Sequence, residues 1–192
     1  PPTNTAMPRS LPLLVLLLSS LPLLADDSKR LREANFPAQY ALDRTQLELK
    51  NQSVLTYLWT DAYAAALYTA PRISPRQALA ARHSKRLELY YFRDIDREDV
   101  IEAVWRTLRR QQDSDSLRRL QLELDALHSN FRDIRRGDRY ALNYAAGSGL
   151  SLERNGETVF FSRNTELADA YLGIWLAPDG LSDTLRNRLL AD

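Results

Sequence analysis

The chain has 192 residues, 26 Lys and Arg against 25 Asp and Glu, 44% hydrophobic residues and no cysteine. The lack of cysteine excludes disulfides, thiolate metal centres and lipid attachment at a lipobox thiol. The near-zero net charge offers no electrostatic basis for binding nucleic acid or an anionic membrane.

Pro1–Ala6 reads as translated upstream sequence, and Met7 opens a leader. Arg9 is its basic region, Leu11–Leu24 is an apolar run, and Leu23–Ala25 followed by Asp26-Asp27 has the form of a cleavage site. The apolar run falls short of the roughly 20 residues a spanning helix requires. This pattern predicts a signal peptide, Met7–Ala25, and a periplasmic or secreted product with no membrane insertion after cleavage. Only one base, Arg9, lies in the leader, so the mature chain carries 25 bases and 25 acids. Residues 26–35 are expected to be a flexible lead-in, and 36–192 a single domain.

Thr45–Asn51 alternates, with Leu47 and Leu49 on one face, and predicts a strand. Ile73–Ser84 carries Ser74 as a cap and Pro75 after it, a helix start. Lys85–Phe92 alternates and is aromatic, which predicts a strand. Arg97–Gln111 sets Val100, Ile101, Val104, Trp105 and Leu108 on one helical face, with acids early and arginines late. Leu117, Leu120, Leu124, Leu127 and Phe131 form the stripe of a second helix. Three strands follow, within 138–146, 150–154 and 157–161, the last two joined by Asn155-Gly156, a strong hairpin signal. Two helices capped by Asn164 and Ser182 close the chain. This order predicts an α+β fold: one large antiparallel sheet with a layer of helices on one face.

Standard catalytic constellations are missing. His83 and His128 lack helical i, i+4 ligand partners and read as surface or boundary residues on helices. Gly147–Ser151 is not a nucleophile elbow. Asp94–Asp99 lacks the glycine and closing glutamate of a calcium loop and reads as an acidic helix start. Arg132–Arg139 is basic but interleaved with Asp133 and Asp138, a solvated turn. Asn51-Gln52-Ser53 matches a glycosylation sequon by spacing, but the leader fits bacterial export equally well and gives the sequon little weight. No cofactor or metal is expected.

The stretch Asn51–Tyr68, "NQSVLTYLWTDAYAAALY", has no charge except Asp61. As a strand it would place Thr60, Ala62, Ala64 and Ala66 on a small face and Tyr57, Trp59, Asp61, Tyr63 and Leu67 on a bulky one able to line a cavity. Its alanines also suit a helix, and propensity leaves both open.

Three segments, "LELKNQSVLTYLWTDAYAAALY", "KRLELYYFRDIDREDV" and "LADAYLGIWLAPDGLSDTLRNRLL", resemble the bacterial branch of the chalcone isomerase-like family in wording, order and spacing. The resemblance covers about residues 36–191. It implies a large antiparallel sheet with helices on one face and a ligand cleft between them, with Asn51–Tyr68 as two strands or one long bent strand. The plant enzymes of this family use an arginine, in a Gly-x-Gly-Val-Arg pattern, to steer a phenolate and stabilise an enolate. Here Asn51, Ser53, Val54 and Leu55 stand in that pattern. Leucine offers no charged fork to an oxyanion, a loss typically worth about 10²–10³ in rate. The family's strand hydroxyl falls near Tyr63, while its helical tyrosine and asparagine fall near Asp96 and Ala103, which do not match.

The resemblance therefore implies a protein without the family's catalytic arginine. One expectation is a small apolar or amphipathic ligand, fatty-acid-like or neutral, bound at Leu55, Tyr57, Trp59, Tyr63 and Trp105. A carboxylate would need a cation such as Arg72 or Arg93. The alternatives are a ligand-free structural or partner-binding envelope protein, its cleft filled by its own aromatics, and an isomerase acting in the same cleft. The void between sheet and helices discriminates: several hundred Å³ favours binding, and near zero favours packing.

Overall fold

The computed structural model describes residues 22–192, with side chains from Asp27 onward. The expected leader lies outside the described residues up to position 21, and positions 22–25 begin helix α1, Pro22–Ala34. Residues 26–34, expected as a flexible lead-in, are thus helical, and Ala34 is fully buried.

Seven strands follow one another across a single antiparallel sheet in sequence order: β1 Gln39–Leu42, β2 Thr45–Tyr57, β3 Thr60–Thr69, β4 Lys85–Tyr91, β5 Arg139–Ala145, β6 Gly149–Arg154 and β7 Glu157–Ser162. Between β4 and β5 run α2, Arg97–Gln111, and α3, Ser114–His128; α4, Thr165–Leu176, and α5, Asp183–Leu189, end the chain. The predicted α+β architecture is the observed one. The termini of these helices follow their caps: Asp113 accepts from Ser116 N, Asn164 from Glu166 N and Leu167 N, and Ser182 from Leu185 N.

Strand alternation sends side chains to two different cores. On one face Tyr63, Ala65, Leu67, Leu87, Leu89, Tyr91, Tyr140 and Leu142 pack against the stripes of α2–α5. On the other, Leu47, Val54, Ala64, Ala66 and Tyr68 pack against Ala34, Phe36 and Leu31, so the small alanine face receives α1. That second face also carries a buried charge network. Arg86 donates to Glu153 (2.5 Å), Glu88 (3.2 Å) and Asn143 (2.9 Å), and its guanidinium lies 3.8 Å from the centre of the Tyr40 ring. Arg139 donates to the second oxygen of Glu88 at 3.0 Å, and Tyr40 to Glu153 at 3.1 Å. Every charge in the network is paired, which is the condition for burying it.

Three local expectations change. Ile73–Ser84 is not a helix but a single 3-10 turn at Gln77–Leu79. The start signal is real, since Gln77 N donates to Ser74 Oγ (3.2 Å) and Ser74 N to Gln77 Oε1 (2.9 Å). Only Ala78 of the turn is buried, so no apolar stripe extends the nucleus. His128 is not a boundary residue: it is 4% exposed, and neither ring nitrogen has a hydrogen-bond partner. His83 lies in a turn rather than on a helix.

The stretch Asn51–Tyr68 is two strands with a break. Leu58 and Trp59 form the turn between β2 and β3, both at positive φ, +47° and +65°. This is the pattern of a type I′ turn, usually written Asn-Gly, as it is at Asn155-Gly156 (+49° and +83°). A non-glycine residue at left-handed φ costs about 1–2 kcal/mol.

Candidate functional site

A cavity of about 530 Å³ lies between the sheet and α2–α5. Leu87, Leu89, Leu142 and Leu152 floor it from the sheet, and Val100, Val104 and Trp175 close it from the helices. Each strand residue in this floor points inward by alternation, and register aligns them: Leu87 pairs with Leu142 and Leu142 with Leu152.

Polarity inside comes from four tyrosines, Tyr63, Tyr91, Tyr140 and Tyr171, and from Thr107, whose hydroxyl donates to the Ala103 carbonyl. Tyr63 and Tyr91 are cross-strand neighbours with ring centres 5.3 Å apart, and Tyr91 meets Tyr140 edge-on at 6.1 Å. Tyr63 Oη accepts from Trp175 Nε1 at 3.0 Å, which leaves its own proton free to donate. The hydroxyls of Tyr140 and Tyr171 are both buried without a hydrogen-bond partner among the described residues. Burial pushes all four phenols above their ordinary range. For Tyr91 the hydroxyls of Tyr63, Tyr140 and Tyr171 add to that. The site therefore presents neutral O–H groups and no phenolate at neutral pH.

Charge is confined to the rim, where Arg93, Asp99, Glu102, Arg106 and Arg110 are exposed. Arg106 is paired with Glu102 at 2.6 Å. Arg110 donates to the backbone carbonyls of Asp179 and Gly180. Among the described residues Arg93 has no ion-pair partner.

Leu55, Tyr57 and Tyr63 line the cavity, Tyr57 from its half-exposed mouth. Trp59 does not join them: it stands at the hairpin tip, 99% exposed. Trp105 lies outside the wall, its ring edge-on to His128 at 5.6 Å. Arg72 follows β3 at its far end and does not line the cavity, whereas Arg93 does. Ala103 is on the wall and Asp96 is the exposed residue before α2. Tyr91, Tyr140 and Tyr171 are site residues that sequence reasoning left out. Their signal was present, as inward positions of alternating strands and the buried face of "LADAYLGIWL".

The "NQSVL" segment has a structural use. Asn51 Nδ2 donates to the carbonyls of Leu189 (2.9 Å) and Ala191 (2.7 Å), so it holds the end of α5 and its amide is occupied, contrary to a glycan acceptor. Ser53 faces Arg188 from the same side at 3.4 Å. Leu55, next on that face, offers the cavity an apolar wall. Among the described residues no cluster of ligands could hold a metal ion, and no helix is long and apolar enough to cross a membrane.

No curated protein matches this sequence. The fold is similar to that of a fatty-acid binding protein of Arabidopsis thaliana, with a TM-score of 0.59 and 18% identity over 81% of this chain and 90% of the other. The family model described as chalcone isomerase-like matches residues 28–191, a range that takes in all seven strands and α2 to α5. This chain belongs to the chalcone isomerase-like family.

Proposed function

We propose that the protein is a non-catalytic binding protein for one small amphipathic molecule, apolar in body and fatty-acid-like or neutral in its head. The cavity carries this reading: at about 530 Å³ it falls within the range of ligand pockets and is not filled by its own aromatics. Its interior supplies apolar walls and hydroxyls but no carboxylate, imidazole or cation, so it lacks an acid, a base and a charged oxyanion partner. Leu55 at the family's arginine position agrees with binding rather than isomerisation. The similar fatty-acid binding protein supports an acyl-like body. A carboxylate head would sit at the mouth, where Arg93 is free. A neutral acceptor could go deeper, to the Tyr171 hydroxyl.

Solvent extraction of protein purified from its native compartment, followed by mass spectrometry, tests this directly. One amphipathic species at near-stoichiometric amount is expected. An empty extract, with no rise in Tm across a panel of fatty acids, fatty alcohols and neutral lipids, would leave the ligand-free envelope protein as the better reading. Export is proposed on the leader alone, and the intact mass of the native protein tests it, since cleavage after Ala25 leaves Asp26 as the first residue.

A further inference from the structure

The tip of the β2–β3 hairpin is the least explained part of the molecule. Tyr57, Leu58 and Trp59 are 64%, 74% and 99% exposed, and the two turn residues hold left-handed φ without being Gly, Asn or Asp. Asn-Gly would make the same turn with less strain, as it does between β6 and β7, so folding does not account for Leu58 and Trp59. Trp59 has no aromatic or hydrogen-bonding partner among the described residues. The chain is uncharged from Asn51 to Thr60, and the first charge beyond the tip, Asp61, is neutralised by Arg30 at 3.0 Å and also accepts from Thr56 at 2.8 Å. The tip thus presents tryptophan, leucine and tyrosine on a charge-free finger. Amphipathic aromatics of this kind partition to the headgroup level of a bilayer.

The finger is continuous with the cavity. Tyr57 belongs both to the exposed tip and to the cavity mouth, and Leu55, two residues back, lines the interior. We propose that the hairpin tip docks on a neutral lipid surface, seating Leu58 and Trp59 among the headgroups so that the mouth opens toward the membrane. An amphipathic ligand could then pass between bilayer and cavity along Tyr57 and Leu55 without crossing bulk water. The docking itself rests on the tip alone. Its use for ligand transfer rests on the binding function proposed above.

The test uses native protein, leader removed by its host, and vesicles of phosphatidylcholine with or without phosphatidylglycerol. Three proteins are compared: the wild type, Trp59→Phe, and the double substitution Leu58→Asn with Trp59→Gly. The double variant keeps the turn geometry, so an unchanged or higher Tm certifies its fold. Expected are a blue shift of the Trp59 emission, obtained by difference from Trp59→Phe, on adding vesicles, and co-sedimentation that the double variant weakens by more than about tenfold. Phosphatidylglycerol and added salt should change neither. No blue shift, or co-sedimentation unaffected by the double substitution, overturns the proposal. A wild-type dimer that becomes monomeric in the double variant overturns it too, by making the tip a contact between copies. Ligand binding from detergent-free solution is measured alongside. If it survives in the double variant while transfer from vesicles slows, docking and cavity are separate functions of one protein; if it is absent in the wild type, the cavity reading fails while the docking result stands.

Discussion

Replacing His128 by leucine should stabilise the protein, and increasingly so in acid. His128 ends α3 with Trp105, Phe131 and Tyr171 around its ring, at centroid distances of 5.6, 6.2 and 5.8 Å. A helix C-terminus ordinarily favours a protonated histidine. Burial prevails here, with Arg97 adding to it and Asp125 opposing, and holds the imidazole pKa at about 4 instead of 6.5. The folded state therefore refuses a proton that the unfolded chain accepts between about pH 6.5 and pH 4. Stability is fully present above pH 6.5 and is lost as pH falls through that window, by roughly 3 kcal/mol in total. Two unsatisfied ring nitrogens add a desolvation cost of about 1–3 kcal/mol at any pH. Urea denaturation of both proteins at about pH 7.5 and about pH 4.5 measures each part. Near neutrality His128→Leu should be more stable by about 1–2 kcal/mol, and the gap should widen by roughly 2.5 kcal/mol at the lower pH. Carboxylates that titrate in both proteins cancel in the difference. A gap that stays constant with pH would refute the assignment of a neutral buried imidazole.

Other outcomes follow from the same physics. Arg86→Met leaves Glu88 and Glu153 buried without their shared cation and should cost about 3–5 kcal/mol in denaturant titrations. Tyr63→Phe leaves the indole N–H of Trp175 unpaired and should destabilise by about 1–3 kcal/mol, whereas Tyr171→Phe removes an orphaned hydroxyl and should leave Tm unchanged or higher. A ligand with a deep neutral head should in turn be retained less well by Tyr171→Phe in solvent extracts. Gly149→Ala should destabilise by at least about 1–3 kcal/mol, because Gly149 has φ +142° and an added Cβ would meet the Ser162 carbonyl oxygen at 2.1 Å.

What could be read from the sequence, and what could not, divides along the range of the interactions. The helices α2 to α5 were legible because their signals are local, the stripe Leu117, Leu120 and Leu124 for α3 and the caps Asn164 and Ser182 for α4 and α5. The β6–β7 hairpin was legible because Asn155-Gly156 advertises its turn. The β2–β3 turn carries no such advertisement, since Leu58-Trp59 is the opposite of a turn dipeptide. Missing it carries the alternation of one strand across the break and places Trp59 on the same wall as Tyr63. Register adds a second displacement: Leu55 pairs with Tyr63 and Thr56 with Asp61, so Ala62 is the extra residue of a bulge. The site itself was only partly legible. Leu55, Tyr57 and Tyr63 come from one neighbourhood, but Tyr91, Tyr140 and Tyr171 reach the cavity from three other elements, and only the folded sheet brings their hydroxyls together.

The segment "NQSVL" joins these threads. The resemblance sets this segment against a pattern of small residues followed by an arginine in the family's enzymes. Here the two positions before Leu55 on the same face, Asn51 and Ser53, face the end of α5, and Asn51 binds two of its carbonyls. That arrangement changes what an arginine at position 55 would do. Leu55 is half-buried against the main core and lines a cavity whose charges all stand at the rim, so Leu55→Arg would replace an apolar contact with a cation that the interior does not pair. The substitution should therefore lower stability and produce no isomerase activity, because the positions that the resemblance sets near the family's helical tyrosine and asparagine, Asp96 and Ala103, carry neither residue. A folded Leu55→Arg protein that cyclised a chalcone well above the spontaneous rate would show that the cavity retains a catalytic environment, and that the single side chain at position 55 separates binding from chemistry.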